Sequence, residues 1–323
     1  MADLNVLSDR ALRNVERIVS DKSVAREVNV IPGDSNSTRH RNVPTPDWQP
    51  RKCCLLKSGF LIELFGFGGS LDPANLGFHK SSNEKNGIVY TAHAGFVDIG
   101  HVRDLGDLTY WVYSHIEDTT DATMRLATPH GFAEFSTSLP SQYWADVAGT
   151  ISYLDALGYE IYTYHHRSPG MHHSAFSPED LSSNYIGVFV AQRAIRSGGD
   201  FDRAFETELG GVLAELGVMS KSATQEAFDL AIKRQWIKDE VSPSLTYLMR
   251  RNLTGTIWQV GHPRDGTPTT LIKLAPLILS SIREFEFTFD HAGRNMTHLE
   301  FGVEITRIAK LAVKTYGANA TYP

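Results

Sequence analysis

Cysteine is nearly missing from this 323-residue chain, which contains only the neighbouring pair Cys53 and Cys54. Vicinal cysteines form a disulfide only with strain, so no disulfide framework is predicted. Two thiols also cannot complete a four-ligand zinc site without histidine or carboxylate partners. The pair is therefore interpreted either as buried structural thiols or as a redox, metal-binding or catalytic pair.

Long apolar runs and an excess of positive charge are also missing. No stretch approaches the roughly 18 to 20 apolar residues of a membrane span, and the amino terminus lacks the pattern of a secretion signal. The formal net charge of -6 argues against a nucleic-acid binder with a broad basic surface. We therefore expect a cytoplasmic protein without a nucleic-acid or membrane partner; its oligomeric state stays open.

The periodicity predicts an α+β fold, a mainly helical single domain with a few short strands. An N-terminal helix and an extended arm occupy residues 1–47, and a single domain of catalytic type occupies 48–323. Helices are expected from 96 to 116, from near Ser141 to the Pro-Gly stop at 169–170, and after an N-cap at Ser177. Further elements are a hairpin (125–137), two helices (201–217 and 221–237), two strands (255–260 and 283–290) and a last helix (304–316).

The stretch "GFVDIGHVRD" concentrates chemistry-bearing side chains. Asp98 and His101 are three residues apart and would share a helical face. Such a pair can chelate one metal ion, or it can place a carboxylate beside an imidazole for proton transfer. Arg103 and Asp104 are candidates for substrate contact, or for ion pairs and capping contacts.

The end of the long helix offers further ligands, because Glu160 and His165 lie close to His166, His172 and His173. Glu160 and His165 are about 140° apart on an ideal helix, so they converge only if the helix ends or bulges between them. With Asp98 and His101, they form the predicted ligand set for a divalent metal ion such as Zn, Fe or Mn.

A third source of polar side chains is "SPEDLSSN". Asp180 and Asn184 are four residues apart and share a helical face, whereas Glu179 is expected to point elsewhere. We count Asp180 and Asn184 as candidate catalytic residues beside Asp98, His101, Arg103 and Asp104. The alternative for Asp180 is a capping contact with Ser177.

Three ordered blocks resemble a bacterial family known only as a domain of unknown function. They are "PRKCC" (50–54), "NGIVYTAHAGFVDIGHVRD" (86–104) and "FSPEDLSSNYIG" (176–187), and the likeness extends over about residues 48 to 310. The resemblance implies kinship but no known activity. It places more weight on Asp98, His101, Arg103, Asp104, Glu179, Asp180 and Asn184. Where the family's long helix ends in an E-x-x-x-x-H-E pattern, His166 replaces the final acid.

Three functions fit these residues. The first is a metal-dependent enzyme acting on a small molecule, with hydrolysis slightly favoured over non-haem iron oxidation. The second is a metal-free enzyme in which Asp98 orients His101 for proton transfer and Arg103 holds an anionic group. The third is a non-catalytic protein whose Tyr- and His-rich segment binds a small ligand.

Overall fold

Five α-helices dominate the described part of the chain in this computed structural model, which confirms the mainly helical fold. The structure describes residues 42–43, 70–117, 123–128, 131–136, 140–165, 175–177, 179–231, 282–289, 294–296, 307 and 310. The helices are α1 (Ile99–Glu117), α2 (Trp144–His165), α3 (Asp180–Ser197), α4 (Phe201–Glu215) and α5 (Lys221–Ala231).

The described strands form a hairpin and a small mixed sheet. They are β1 (Asn42–Val43), β2 (Ile88–Thr91), β3 (Gly95–Asp98), β4 (Thr123–Thr128), β5 (Gly131–Ser136), β6 (Ile282–Phe289) and β7 (Arg294–Met296). Strands β2 and β3 form an antiparallel hairpin. The sheet has the order β1-β4-β5-β6-β7, in which only the β1–β4 pair is parallel. The predicted hairpin at 125–137 and strand at 283–290 are confirmed as β4–β5 and β6.

The β2–β3 hairpin leads directly into α1. This helix begins three residues later than the predicted start at residue 96. Phe96 pairs with Tyr90 across the hairpin, and Asp98 pairs with Ile88, so both belong to the strand. The apolar side chains of this hairpin are buried, which favours extended pairing over an earlier helical start. Asp98 therefore stands at the junction of strand and helix.

The start of α3 also differs from the prediction of an N-cap at Ser177. Glu179 is the N-cap and Asp180 the first helical residue. The Ser177 hydroxyl donates to the Glu179 carboxylate, and the Asp180 N–H donates to the Ser177 carbonyl oxygen at 3.2 Å. The serine thus fixes the carboxyl group that precedes the helix and caps no backbone N–H with its side chain.

Helices α1 and α3 approach each other closely at Gly187. A Cβ atom added to Gly187 would lie 2.3 Å from the carbonyl oxygen of Val102, so no larger residue fits without a backbone shift. Two clusters of buried side chains flank this contact. One joins α1, α2 and α3, and the other joins the hairpin, α1, α3 and α4. Together they fix the starts of α1 and α3 beside each other.

Several predictions lie outside the described residues. They concern the N-terminal helix, the cysteine pair, the strand at 255–260 and most of the helix at 304–316. The division between 1–47 and 48–323 stays a prediction, and β1 at its edge pairs with β4. Among the described helices, none has the length and apolar character that a bilayer crossing requires.

Candidate functional site

Asp98 closes the start of α1 with its side chain. Its Oδ1 atom accepts the N–H of Gly100 at 2.8 Å and the N–H of His101 at 3.4 Å, as a helix N-cap does. The Asp98 N–H in turn donates to the Ser183 hydroxyl on α3 at 2.9 Å. Asp98 is 0% exposed, so it is a buried carboxylate held in place from both helices.

His101 faces the start of α3. Its Nε2 atom lies 3.7 Å from Oδ1 of Asp180, and both side chains are largely buried. This distance is too long for a hydrogen bond but suits an ion pair when the imidazole is protonated. The structure therefore brings together two of the three predicted groups of site residues, although Asp98 caps the helix and does not lie on its face.

Glu179 joins this group, although its side chain was expected to point elsewhere. Burial raises the pKa of Glu179 to about 7; the hydrogen bond from Ser177 lowers it, the charge of Asp98 raises it and His101 lowers it. Its Oε1 atom is buried and has no hydrogen-bond partner among the residues that the structure describes. Glu179 is the N-cap of α3, and its carboxyl group, held by the Ser177 hydroxyl, lies close enough to Asp98 and His101 for their charges to act on it.

Asn184 completes what we call the α1/α3 site, which consists of Asp98, His101, Glu179, Asp180 and Asn184. It lies one turn beyond Asp180, and it is 3% exposed. Its Oδ1 atom is buried, and within the described part of the chain it has no hydrogen-bond partner. Buried polar atoms usually have a hydrogen-bond partner. The two oxygens of Glu179 and Asn184 that lack one among the described residues therefore make this region unusual.

Glu160 is connected to the same region through the backbone. The buried Glu160 carboxylate accepts the N–H of Phe176, just before Ser177 and Glu179. His165 is the last residue of α2. Its side chain lies outside the part of the chain that the structure describes, and so do His166, His172 and His173. The set Asp98, His101, Glu160 and His165 as metal ligands therefore stays a prediction.

Arg103 points away from the α1/α3 site. It lies two residues after His101, about 200° around the helix. Its guanidinium group is buried against Glu84 at 3.2 Å and Glu206 at 3.3 Å, and it donates to the Gly77 carbonyl oxygen at 3.1 Å. These contacts support the interpretation of Arg103 as an ion-pair residue over its interpretation as a substrate contact. Asp104 is half-buried, and its spacing puts it on the His101 side of α1.

A second polar cluster lies on the Arg103 side of α1. His79, Asp107 and Asp202 have ligand atoms that all lie within 4.8 Å of one another, so this His79 group could hold a metal ion. Nε2 of His79 lies 3.0 Å from Oδ1 of Asp107 and 3.9 Å from Oδ1 of Asp202. Its members come from a loop, the middle of α1 and the first turn of α4.

Lys80 already provides positive charge to the His79 group. Its Nζ atom lies 2.8 Å from Oδ1 of Asp107 and 3.1 Å from Oδ1 of Asp202. Burial lowers the pKa of Lys80, but these two aspartates raise it by more, so the pKa lies above its ordinary value. Lys80 is therefore an ammonium ion that offsets part of the negative charge of the two carboxylates.

Sequence reasoning missed the His79 group because no local pattern joins its members. His79 lies in a polar turn, Asp107 in the middle of a helix, and Asp202 in a helical first turn where an acidic residue is expected anyway. The position of Glu179 at the site had a visible signal, since "SPED" places two acids at a helix start, but no sequence pattern showed that the Ser177 hydroxyl holds its carboxyl group.

Comparisons with known proteins agree with the resemblance and limit its extent. A family model described as "Protein of unknown function (DUF4056)" matches residues 69–260. This range contains the blocks at 86–104 and 176–187 and leaves out "PRKCC", so it is shorter than the predicted 48 to 310. Searches of the curated proteins and of the solved structures give no match. The matched range covers more than half of the chain, and the protein therefore belongs to the DUF4056 family of unknown function.

Proposed function

We propose that the protein is an enzyme that transfers protons to and from a small-molecule substrate at the α1/α3 site. The observation that carries the proposal is the Glu179 carboxyl group, which is buried, has one oxygen without a hydrogen-bond partner and has a pKa raised to about 7. A general acid or base works best when its pKa lies near the operating pH. Strongly perturbed carboxyl groups cluster at active sites for this reason.

The neighbours of Glu179 suit this role. The negative charge of Asp98 favours the protonated form of Glu179, and Asp98 is fixed by its capping bonds to α1. His101 faces Asp180 at 3.7 Å, so Asp180 stabilises the imidazolium that forms when His101 accepts a proton. Glu179 gives its proton to the leaving atom of the substrate while His101 takes one from the attacking group. Two groups with opposite protonation states thereby serve one reaction.

The test is a search for turnover with the full chain on chromogenic esters, amides and glycosides between pH 5 and 9. We expect the rate with an active substrate to fall as pH rises through about 7, because Glu179 then loses the proton that it donates. Glu179→Gln keeps the size of the side chain and should lower kcat by about 10² to 10⁴. The matched control is Glu226→Gln, an exposed acid on α5, which should leave kcat unchanged.

Two results would contradict the proposal. Turnover that Glu179→Gln leaves intact would remove this carboxyl group from the chemistry. A small ligand that raises Tm, and whose affinity falls in His101→Ala, without turnover of any compound would instead favour the ligand-binding alternative.

Metal-dependent hydrolysis is the second candidate, and Glu160 favours it. This buried carboxylate contacts the backbone directly before Ser177, so it lies beside the segment that carries Glu179. A metal ion here would supply an activated water molecule. Activity lost with a chelator and restored by one metal ion, together with metal loss in His165→Ala, would favour this candidate. Chelator-insensitive turnover would favour the metal-free reaction.

A further inference from the structure

The His79 imidazole lies in a confined setting on the opposite side of α1. Its side chain is 0% exposed and stacks on the Phe205 ring with the centroids 4.4 Å apart. Nε2 is 3.0 Å from Asp107, within hydrogen-bond distance. No described residue forms a hydrogen bond with Nδ1, and the carboxylate oxygen Oε2 of Glu84 lies 3.8 Å away from it.

This arrangement leaves one ring nitrogen poorly matched in a neutral histidine, which has a single N–H. If Nε2 carries the hydrogen and donates to Asp107, the lone pair of Nδ1 faces the Glu84 carboxylate. If a metal ion binds Nε2, the hydrogen is on Nδ1 and points towards Glu84. Metal-binding histidines commonly direct their second N–H to a carboxylate in this way.

We propose that the His79 group binds a divalent first-row cation, represented by Zn²⁺, in place of the Lys80 ammonium group. The ligands are Nε2 of His79 and Oδ1 of Asp107 and Asp202. Bonds of about 2.0 to 2.2 Å place ligand atoms about 3 to 4 Å apart. The separations of 3.0 Å and 3.9 Å from Nε2 to the two carboxylates lie in this range.

Lys80 is the competitor that makes this an exchange site. Its ammonium group contacts the same two oxygen atoms that the metal ion needs, at 2.8 Å and 3.1 Å. The Lys80 side chain is 43% exposed, so it can turn into solvent when the cation enters. Binding therefore replaces one positive charge with two. Glu84 and Glu206, which border the group, accommodate the added charge.

A bound cation would connect three separate parts of the chain. His79 precedes the hairpin, Asp107 lies in α1, and Asp202 lies in α4. The cation links all three in the folded state only, so its binding free energy adds to stability. This site is independent of the proposed chemistry at the α1/α3 site, and each can fail without the other.

The experiment is calorimetric titration of the whole 323-residue chain with ZnCl₂, using wild type and four variants. Lys80→Met removes the competing ammonium group and should lower Kd by about tenfold. Asp202→Asn removes a ligand and should raise Kd at least about tenfold. The double variant should lose the gain of Lys80→Met. Glu215→Gln removes an exposed acid from the same helix, away from the His79 group, and should leave Kd unchanged.

The variants also separate this site from zinc bound elsewhere. Zinc held by His172 and His173, for instance, would respond to neither Lys80→Met nor Asp202→Asn. The proposal is overturned if Kd is the same in wild type and Lys80→Met, or if Asp202→Asn binds zinc as wild type does. Because Lys80→Met predicts tighter binding, loss of folding in a ligand variant cannot imitate the expected result.

Discussion

The α1/α3 site and the His79 group lie on opposite sides of α1, and both combine a histidine with buried or half-buried acids. They differ in how the acids are compensated. In the His79 group and at its border, Lys80 and Arg103 contact the carboxylates of Glu84, Asp107, Asp202 and Glu206. At the α1/α3 site, Glu179 and Asn184 each keep a buried oxygen that accepts no hydrogen bond from the described residues.

This difference separates two uses of buried charge. Paired charges hold parts of a fold in register, and breaking one pair costs stability because the partner is left buried and alone. Unpaired polar atoms reduce stability, and they persist where function needs them. We therefore expect the loss of a paired charge beside the His79 group and the loss of an unpartnered polar group at the α1/α3 site to change stability in opposite directions.

The largest expected effect is at Arg103, which is 0% exposed. Arg103→Met leaves Glu84 and Glu206 without their buried cation and should lower the free energy of unfolding by about 3 to 5 kcal/mol. Arg193→Met is the control, because Arg193 also pairs with two glutamates but is 34% exposed. The control should lose about 1 kcal/mol or less. Equal losses in urea unfolding would remove the distinction between the buried and the exposed pairs.

The next effect depends on pH, through Glu179. Its pKa is raised from 4.5 to about 7 in the folded state, so folding favours the protonated form. The contribution of Glu179 to stability is therefore complete below about pH 4.5 and is lost as pH rises to about 7. Glu179→Gln does not titrate, so it should gain up to about 3 kcal/mol over wild type across this range.

Urea unfolding of wild type and Glu179→Gln at several pH values between 4.5 and 8 measures this difference. Glu226→Gln, with its exposed acid, should show no comparable trend. A wild-type protein that becomes more stable than Glu179→Gln as pH rises would have the opposite sign and would contradict the raised pKa.

The smallest effect concerns a single amide. Asn184→Leu replaces a buried oxygen, which has no hydrogen-bond partner among the described residues, by an apolar group of similar size. It should raise Tm and increase the free energy of unfolding by about 1 kcal/mol. Gln192→Leu on the same helix is the contrast, because Gln192 donates to the Ala145 carbonyl oxygen and should lose stability. If both variants lose stability equally, Asn184 is an ordinary core residue.

The sequence predicted those parts of the molecule that depend on local patterns. Apolar spacing identified the helices, and alternation identified the β4–β5 hairpin. The pairing of Asp98 with Ser183, by contrast, joins residues 85 positions apart and has no local signal. The grouping of Asp98 and His101 with Asp180 rested on the family-like blocks in which they lie, and the structure places His101 3.7 Å from Asp180. The direction of Glu179 was wrong because helical spacing does not show the hydrogen bond from Ser177 that orients its carboxyl group.

The Gly187 contact limits how the α1/α3 site can respond to a ligand. Backbone meets backbone there, because a Cβ on Gly187 would lie 2.3 Å from the Val102 carbonyl oxygen. Side-chain repacking cannot relieve such a contact, so the two helices cannot slide closer together. The contact therefore sets a lower limit on the distance between α1 and α3 at this point. A substrate of the proposed reaction would have to fit the spacing already present, with little reorganisation of the scaffold.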